Sequence, residues 1–317
     1  MTGFDVIVVG GGLRGMRAAL RTMANRPDAR ILCVEADANP GDDVRSQRSN
    51  GFVCELGPFA FTREEVDAWL EPLVARPRVV TALDSGRTGW LFDGRERRPL
   101  RVEPEPCSFP TGCEDVVQAY RRQLGEALHL GRRVTSISPR DDGGFALLLD
   151  GEVPTEHTTT EVVLAVSPVD ACRMLDPFEP ELSQVAARTT AEPRAFVWFG
   201  GIARQAPELT GYGVLPHPSL DAGLAELIFC TQVFANRAMP DRVLVRAEPA
   251  LDQLPEHDDE LVRLVEAELR RWTGTEAPFG FTKVHRFRTV APDGDATECR
   301  TRVAEIATRV PGLSLAD

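Results

Sequence analysis

Lysine is almost missing from this chain. Of 36 basic residues only Lys283 is a lysine, a bias that points to GC-rich coding sequence rather than to dozens of anion contacts. Positive charge is also outweighed, since 48 acidic residues leave a formal net charge of −12. Nucleic-acid binding is not expected, because gripping a phosphate backbone needs a basic face. Long apolar runs are absent too: no window approaches the ~18 consecutive apolar residues of a membrane-spanning helix. The N-terminus passes straight into a strand-like run, with no stretch that reads as a secretory signal, so a cytoplasmic protein is expected. The seven cysteines form no C-x-x-C, and the nearest pair, Cys107 and Cys113, reads as reduced thiols. His129, His157, His217, His257 and His285 are scattered without ligand spacing, so no metal site is expected. There is no internal repeat and no low-complexity segment. What remains is an ordinary globular composition, 43% hydrophobic over 317 residues, enough for one large or two interleaved domains.

The most informative segment runs from Phe4 to Glu35. An apolar run, Val6 to Val9, is bounded by glycines and turns into a helix-period pattern through Met16, Ala19, Leu20 and Met23. A second apolar run at Ile31 to Val34 ends on Glu35. Gly10, Gly12 and Gly15 fit G-x-G-x-x-G, and Glu35 lies twenty residues beyond the last of them. Gly10 permits the turn, Gly12 lets backbone amides approach a pyrophosphate, and Gly15 lets helix and strand pack closely. The helix N-terminus would then face phosphate with free N–H groups and its positive dipole end. Glu35 would accept hydrogen bonds from ribose hydroxyls. An adenine dinucleotide site is the expectation.

Beyond Glu35 comes a polar loop, then GFVCELGPFAF. Thr62 and Glu65 form a capping box for a short helix with Val66, Trp69, Leu70 and Leu73 on one face. Residues 78–103 read as short strands with turns, and a helix follows over about Glu114 to Leu128. Strands are expected at Val134 to Ile137, Phe145 to Leu149, Glu161 to Ala165, and near 195–202, 224–233 and 242–247. Helices are expected at about Asp258 to Trp272 and around 296–309.

At that point the chain resembles the FAD-dependent protoporphyrinogen oxidase group within the flavin amine oxidase family. Beside the glycine loop, the likeness is carried by GFVCELGP (51–58), SFPTGCEDVVQAY (108–120), RVTSI (133–137) and EVVLAVSPVDACRML (161–175). YGVLPHP (212–218), FANRAMPDRVLVRAE (234–248), VHRF (284–287) and VPGLSLAD (310–317) continue it in order. The resemblance implies an α/β fold: a Rossmann-like, FAD-binding parallel sheet from discontinuous segments (1–60, 108–170 and 285–317). A mainly antiparallel, substrate-type sheet (61–107 and 171–284) would join it. It implies FAD as cofactor, held by the loop Gly10, Gly11, Gly12, Leu13, Arg14 and Gly15, with Glu35 on the ribose. Gly57 and Pro58 would lie near the isoalloxazine, and Val134 would meet the adenine through its backbone. The chemistry would be hydride transfer from a substrate carbon to flavin N5, with a porphyrinogen-like or amine small molecule as substrate and no nameable catalytic side chain.

Three departures set the alternatives. Where the family carries P-G-G-R with a phosphate-facing arginine, this chain has Pro40-Gly41-Asp42-Asp43, which reverses an attraction; Arg45 or Arg14 is the expected compensating cation. Only 49 residues separate Pro58 from Ser108, too few for the family's helical substrate domain. The matching segments run out at VPGLSLAD, where the family continues with a glycine-containing turn and a last helix. The alternative expectation is therefore a degenerate, non-catalytic member. Its exposed apolar surface near Leu313 and Leu315 would take a protein partner. A nicotinamide-dependent enzyme is a third reading. Further candidates are His285 and Arg286 near the flavin, Trp90, Phe92, Trp198 and Phe199 as core or as pocket walls, and Arg95, Arg97, Arg98 and Arg101 as a solvated hairpin or a carboxylate grip.

Overall fold

The computed structural model describes residues 2–151, 153–251, 253–291 and 293–316; Asp317, which ends the VPGLSLAD segment, lies outside them. Strand Thr2–Val9 (β1), helix Leu13–Asn25 (α1) and strand Ile31–Val34 (β2) form the opening unit, with β1 and β2 parallel in the register Val6↔Ile31 to Val9↔Val34. The apolar run of β1 is continuous because both faces of its sheet are covered. Val6 and Val8 pack with Met16, Ala19, Val117 and Tyr120 on one face; Ile7 and Val9 pack with Cys172, Val185, Val303 and Ile306 on the other.

The first sheet has seven strands. β1 is flanked by β2 and by the parallel strand Thr155–Leu164, registered Val6↔Glu161 to Val9↔Leu164. The same strand carries two partners on its far edge. Its first half pairs antiparallel with Phe145–Leu149, and its last residues pair parallel with Leu313–Leu315. Leu128–His129 closes the edge beyond β2.

The second sheet also has seven strands, in the order Phe279–Val290, Ala191–Ile202, Arg242–Pro249, Leu224–Phe229, Gly213–Pro216, Thr88–Phe92, Arg97–Arg101. All pairings are antiparallel except Gly213–Pro216 with Thr88–Phe92. Alternation along Ala191–Ile202 divides two cores. Val197 and Phe199 meet Leu261, Val265 and Trp272 of helix Asp258–Thr273; Phe196 and Trp198 face Phe52, Cys54 and Phe59. The architecture is the α/β pair of sheets expected, one with parallel strands at its centre and one mainly antiparallel.

Several elements fall outside the sequence reading. Helices Pro168–Met174 and Leu182–Arg188 pack into the core of the first sheet, beside Gly294–Arg309. The chain thus crosses to the second sheet near residue 190 and returns after 290, where the sequence division put the crossings at 171 and 285. The polar loop after Arg45 contains the hairpin Ser46–Ser49/Phe52–Glu55. The segment 224–233 is strand only to Phe229, and Cys230–Val233 is a helical turn.

Candidate cofactor site

A cleft of about 900 Å³ opens where β1 turns into α1. Gly10, Leu13 and Arg14 line it, together with Arg132, Arg133 and Val134 and with Pro58, Phe61 and Trp69. Arg300, Val303, Leu315 and Ala316 form a further side. Two glycines of the loop have no substitute. Gly10 has φ +108° and a Cβ there would come within 2.6 Å of the Ala165 carbonyl oxygen, while a Cβ on Gly15 would overlap the Gly10 carbonyl. The close approach of α1 to β1 depends on both.

Gly12 is the N-cap of α1 and makes no side-chain cap, and the first turn holds no acidic residue. The first-turn amides therefore have no intrahelical acceptor, and the dipole end faces the cleft. Glu35 is buried at the end of β2; its Oε2 accepts the Gly11 N–H at 2.6 Å and its Oε1 the Asp37 N–H at 2.8 Å. Both oxygens thus already brace backbone, each with a lone pair remaining for a hydroxyl donor. The loop after β2 folds back onto the glycines. Gly41 N–H donates to Gly11 O at 2.8 Å, and the Asp42 carboxylate lies against Gly12, close enough that a Cβ on Gly12 would overlap Asp42 Oδ2. Loss of solvent in the cleft wall, with repulsion from Glu35 and Asp43, pushes the Asp42 carboxyl up to about 6; Arg14 and Arg45 oppose that shift. Desolvation raises the Asp43 carboxyl as well.

The other expected residues divide. Arg14 is exposed and lines the cleft; Pro58 and Val134 line it too. Gly57 packs its Cα against the Asp43 backbone, and its carbonyl accepts from Arg246 at 2.6 Å. Arg45 is not brought to the cleft: it reaches Asp37 at 3.4 Å and Asn39 O at 3.3 Å, beside a separate depression of about 220 Å³. His285 is half-buried in the second sheet and stacked on Phe287, and Arg286 pairs with Asp258 at 2.8 Å, both away from the cleft. Phe92, Trp198 and Phe199 are core, and Trp90 donates to Thr210 O. In the arginine hairpin Arg98 meets Asp93, Arg101 meets Glu103 and Arg97 covers Trp90. Leu313 is buried in the first core, so of the two terminal leucines only Leu315 is exposed, at the cleft rim. Among the described residues no helix is long and apolar enough to cross a membrane.

Sequence reasoning also missed a buried ion pair that ties three of the family-like segments together. Glu55 of the E-L-G-P turn meets Arg237 at 3.1 Å, both essentially inaccessible. Glu55 also accepts from Ser46 Oγ and from the Cys113 N–H, and Arg237 donates to Ser108 Oγ and Phe109 O. The signal available was an acid inside an otherwise apolar run.

Residues 75–297 match the family profile of the flavin containing amine oxidoreductases, and residues 8–76 that of an NAD(P)-binding Rossmann-like domain. The chain belongs to the flavin-containing amine oxidoreductase family. A candidate protoporphyrinogen oxidase from Exiguobacterium sp. 255-15 superposes with a TM-score of 0.78 at 17% identity, over 99% of this chain and 94% of its own. Putrescine oxidase bound to putrescine superposes at 0.76 and 14% identity, over 99% of this chain and 93% of its own. In sequence, the coproporphyrinogen III oxidase of Propionibacterium freudenreichii subsp. freudenreichii is 35% identical over 97 residues, 30% of this chain. That match spans only 18% of the relative's length.

FAD is the cofactor of the family, and the residues of the cleft fit it. Gly10 at positive φ, the tight Gly15 packing, the uncapped α1 N-terminus and buried Glu35 are features that a dinucleotide cradle requires. The group that lies against the α1 N-terminus and opposes a phosphate there is the carboxylate of Asp42.

Proposed function

We propose that this protein is an FAD-dependent oxidoreductase of protoporphyrinogen-oxidase type, acting on a porphyrinogen-like or amine substrate. The observation that carries the reading is the continuous cleft from Val134, past the α1 N-terminus, to Pro58 and Phe61. When bound there, FAD supplies an acceptor for a hydride from a substrate carbon. The chain's own contributions are binding and exclusion. First-turn amides of α1 would hold the pyrophosphate, Glu35 would offer its remaining lone pairs to the ribose, and the Val134 backbone would border the adenine. Pro58, held by the Gly57–Arg246 contact, presents an apolar edge to the ring end, and the core of Phe59, Phe196 and Phe234 keeps water from behind it. None of these roles requires a side-chain acid or base.

A second reading, a family member that keeps the fold for binding alone, is favoured by one observation. The space between Pro58 and the second sheet is filled: Arg246 lies 4.3 Å over the Phe196 ring and 5.6 Å over Phe59, and no second-sheet residue lines the cleft among those described. The test is a visible absorption spectrum after FAD reconstitution, then anaerobic addition of a porphyrinogen or an amine. Flavin bands bleached by either substrate support the oxidoreductase. A bound flavin that neither class reduces, or a colourless protein, refutes the oxidoreductase and supports the binding protein.

A further inference from the structure

Asp42 is a discordant group in the cradle, and three observations define its position. It has φ +53°, a left-handed backbone that favours glycine and, among other residues, Asn and Asp. The turn is fixed on either side by Gly41 N–H to Gly11 O at 2.8 Å and Val44 N–H to Gly41 O at 2.9 Å, so the side chain is aimed at the glycine loop. The carboxylate then rests on Gly12, the N-cap of a helix that has no side-chain cap hydrogen bond. We propose that Asp42 gates the pyrophosphate site, its carboxylate holding the place of the phosphates on the α1 N-terminus, and that FAD enters with uptake of a proton by this side chain. The proposal rests on the cofactor reading above.

Electrostatics decides which form of Asp42 tolerates a phosphate. From the end of β2 Glu35 faces it, and from its own loop Asp43; both repel an added anion. Arg14 from α1 and Arg45 from the same loop attract. Arg45 is already engaged by Asp37 and Asn39, which leaves Arg14 as the cation aimed at the cleft near this point. The cleft is also lined by Glu65, Asp170, Arg132, Arg133 and Arg300. An ionised Asp42 repels a phosphate oxygen brought up to Gly12, whereas a neutral carboxyl becomes a donor to that oxygen. With the carboxyl titrating at about 6, the binding-competent fraction above that pH falls about tenfold per unit.

The test is FAD titration of the full chain, followed by flavin fluorescence, between about pH 5.5 and 8 in wild type, Asp42→Asn and Asp42→Gly. Asparagine and glycine both accept a positive φ, so each keeps the turn, and far-UV circular dichroism checks this. The expected result is a wild-type dissociation constant that weakens about fiftyfold from pH 6 to 8. Asp42→Asn should stay flat and bind about a hundredfold more tightly than wild type at pH 8. Calorimetry in buffers of different ionisation enthalpy should show about one proton taken up by wild type at pH 8 and none by Asp42→Asn. Wild type and Asp42→Asn running parallel would remove Asp42 from the gate and leave the cofactor reading intact. No binding by any of the three proteins at any pH would overturn the cofactor reading and the gate together.

Discussion

Replacing Arg237 with methionine should reveal what the E-L-G-P turn is for. The side chain is wholly buried, pairs with Glu55 at 3.1 Å, and reaches Ser108 and Phe109. Methionine fills much of the volume but leaves Glu55 ionised without a counter-charge. Breaking a buried pair from one side costs about 3–5 kcal/mol, roughly 5–7 °C in Tm for a chain of this size. The sign of the pH dependence follows from Glu55. Burial raises its carboxyl in the folded protein even with Arg237 lowering it, so the native state binds more protons than the unfolded one. Stability therefore falls as pH rises from the ordinary carboxylate value through the folded one. Removing Arg237 pushes the folded value higher still. The Arg237→Met loss should accordingly be larger at pH 8 than at pH 5.5, as read by urea unfolding followed by circular dichroism. Adding Glu55→Gln should recover about 2 kcal/mol or more, since neither charge is then stranded. Equal losses at both pH values, or a double variant equal to the sum of the singles, would refute the reasoning.

Two further substitutions separate the cradle from its support. Gly10→Ala sets a Cβ on the Ala165 carbonyl at φ +108°; it should cost about 1–3 kcal/mol and abolish FAD binding, and an unchanged melt with intact flavin bands would contradict it. Thr62→Ala removes the capping box, in which Thr62 Oγ1 accepts the Glu65 N–H at 3.1 Å and the Glu65 carboxylate accepts the Thr62 N–H at 2.7 Å. It should cost about 1 kcal/mol with FAD affinity unchanged, so a weakened cofactor would show that helix Arg63–Leu70 positions the Trp69 wall.

The first sheet was legible because its signals are local. β1, α1 and β2 announce themselves through a buried run, a helical period and glycines at fixed offsets. Other local signals were present but unread. Asn50-Gly51 is a two-residue hairpin turn, with φ +49° and +81° at the two positions, as a type I′ turn requires. Ser167-Pro168 starts a helix, with the Ser167 hydroxyl accepting the Asp170 N–H and proline in the first turn, the arrangement expected of an N-cap.

What could not be read from the chain is where a loop is aimed. Arg45 and Asp42 are three residues apart in one polar segment, and nothing in their spacing says which reaches the phosphate site. Arg45 or Arg14 was expected to compensate there; the structure brings Arg14 to the cleft but not Arg45, and from the polar segment it brings the acid. The reason is backbone: a left-handed residue at 42 turns the carboxylate onto Gly12, while the strand begun at Ser46 carries Arg45 outward to Asp37. A glycine at the same place would make the same turn with no side chain to aim, and would leave the helix N-terminus open. The substitution therefore alters the occupancy of the cradle without altering its shape. That is why an intact fingerprint and an unfavourable charge coexist in one site, and why affinity measured against pH, rather than fold, distinguishes what this site has become.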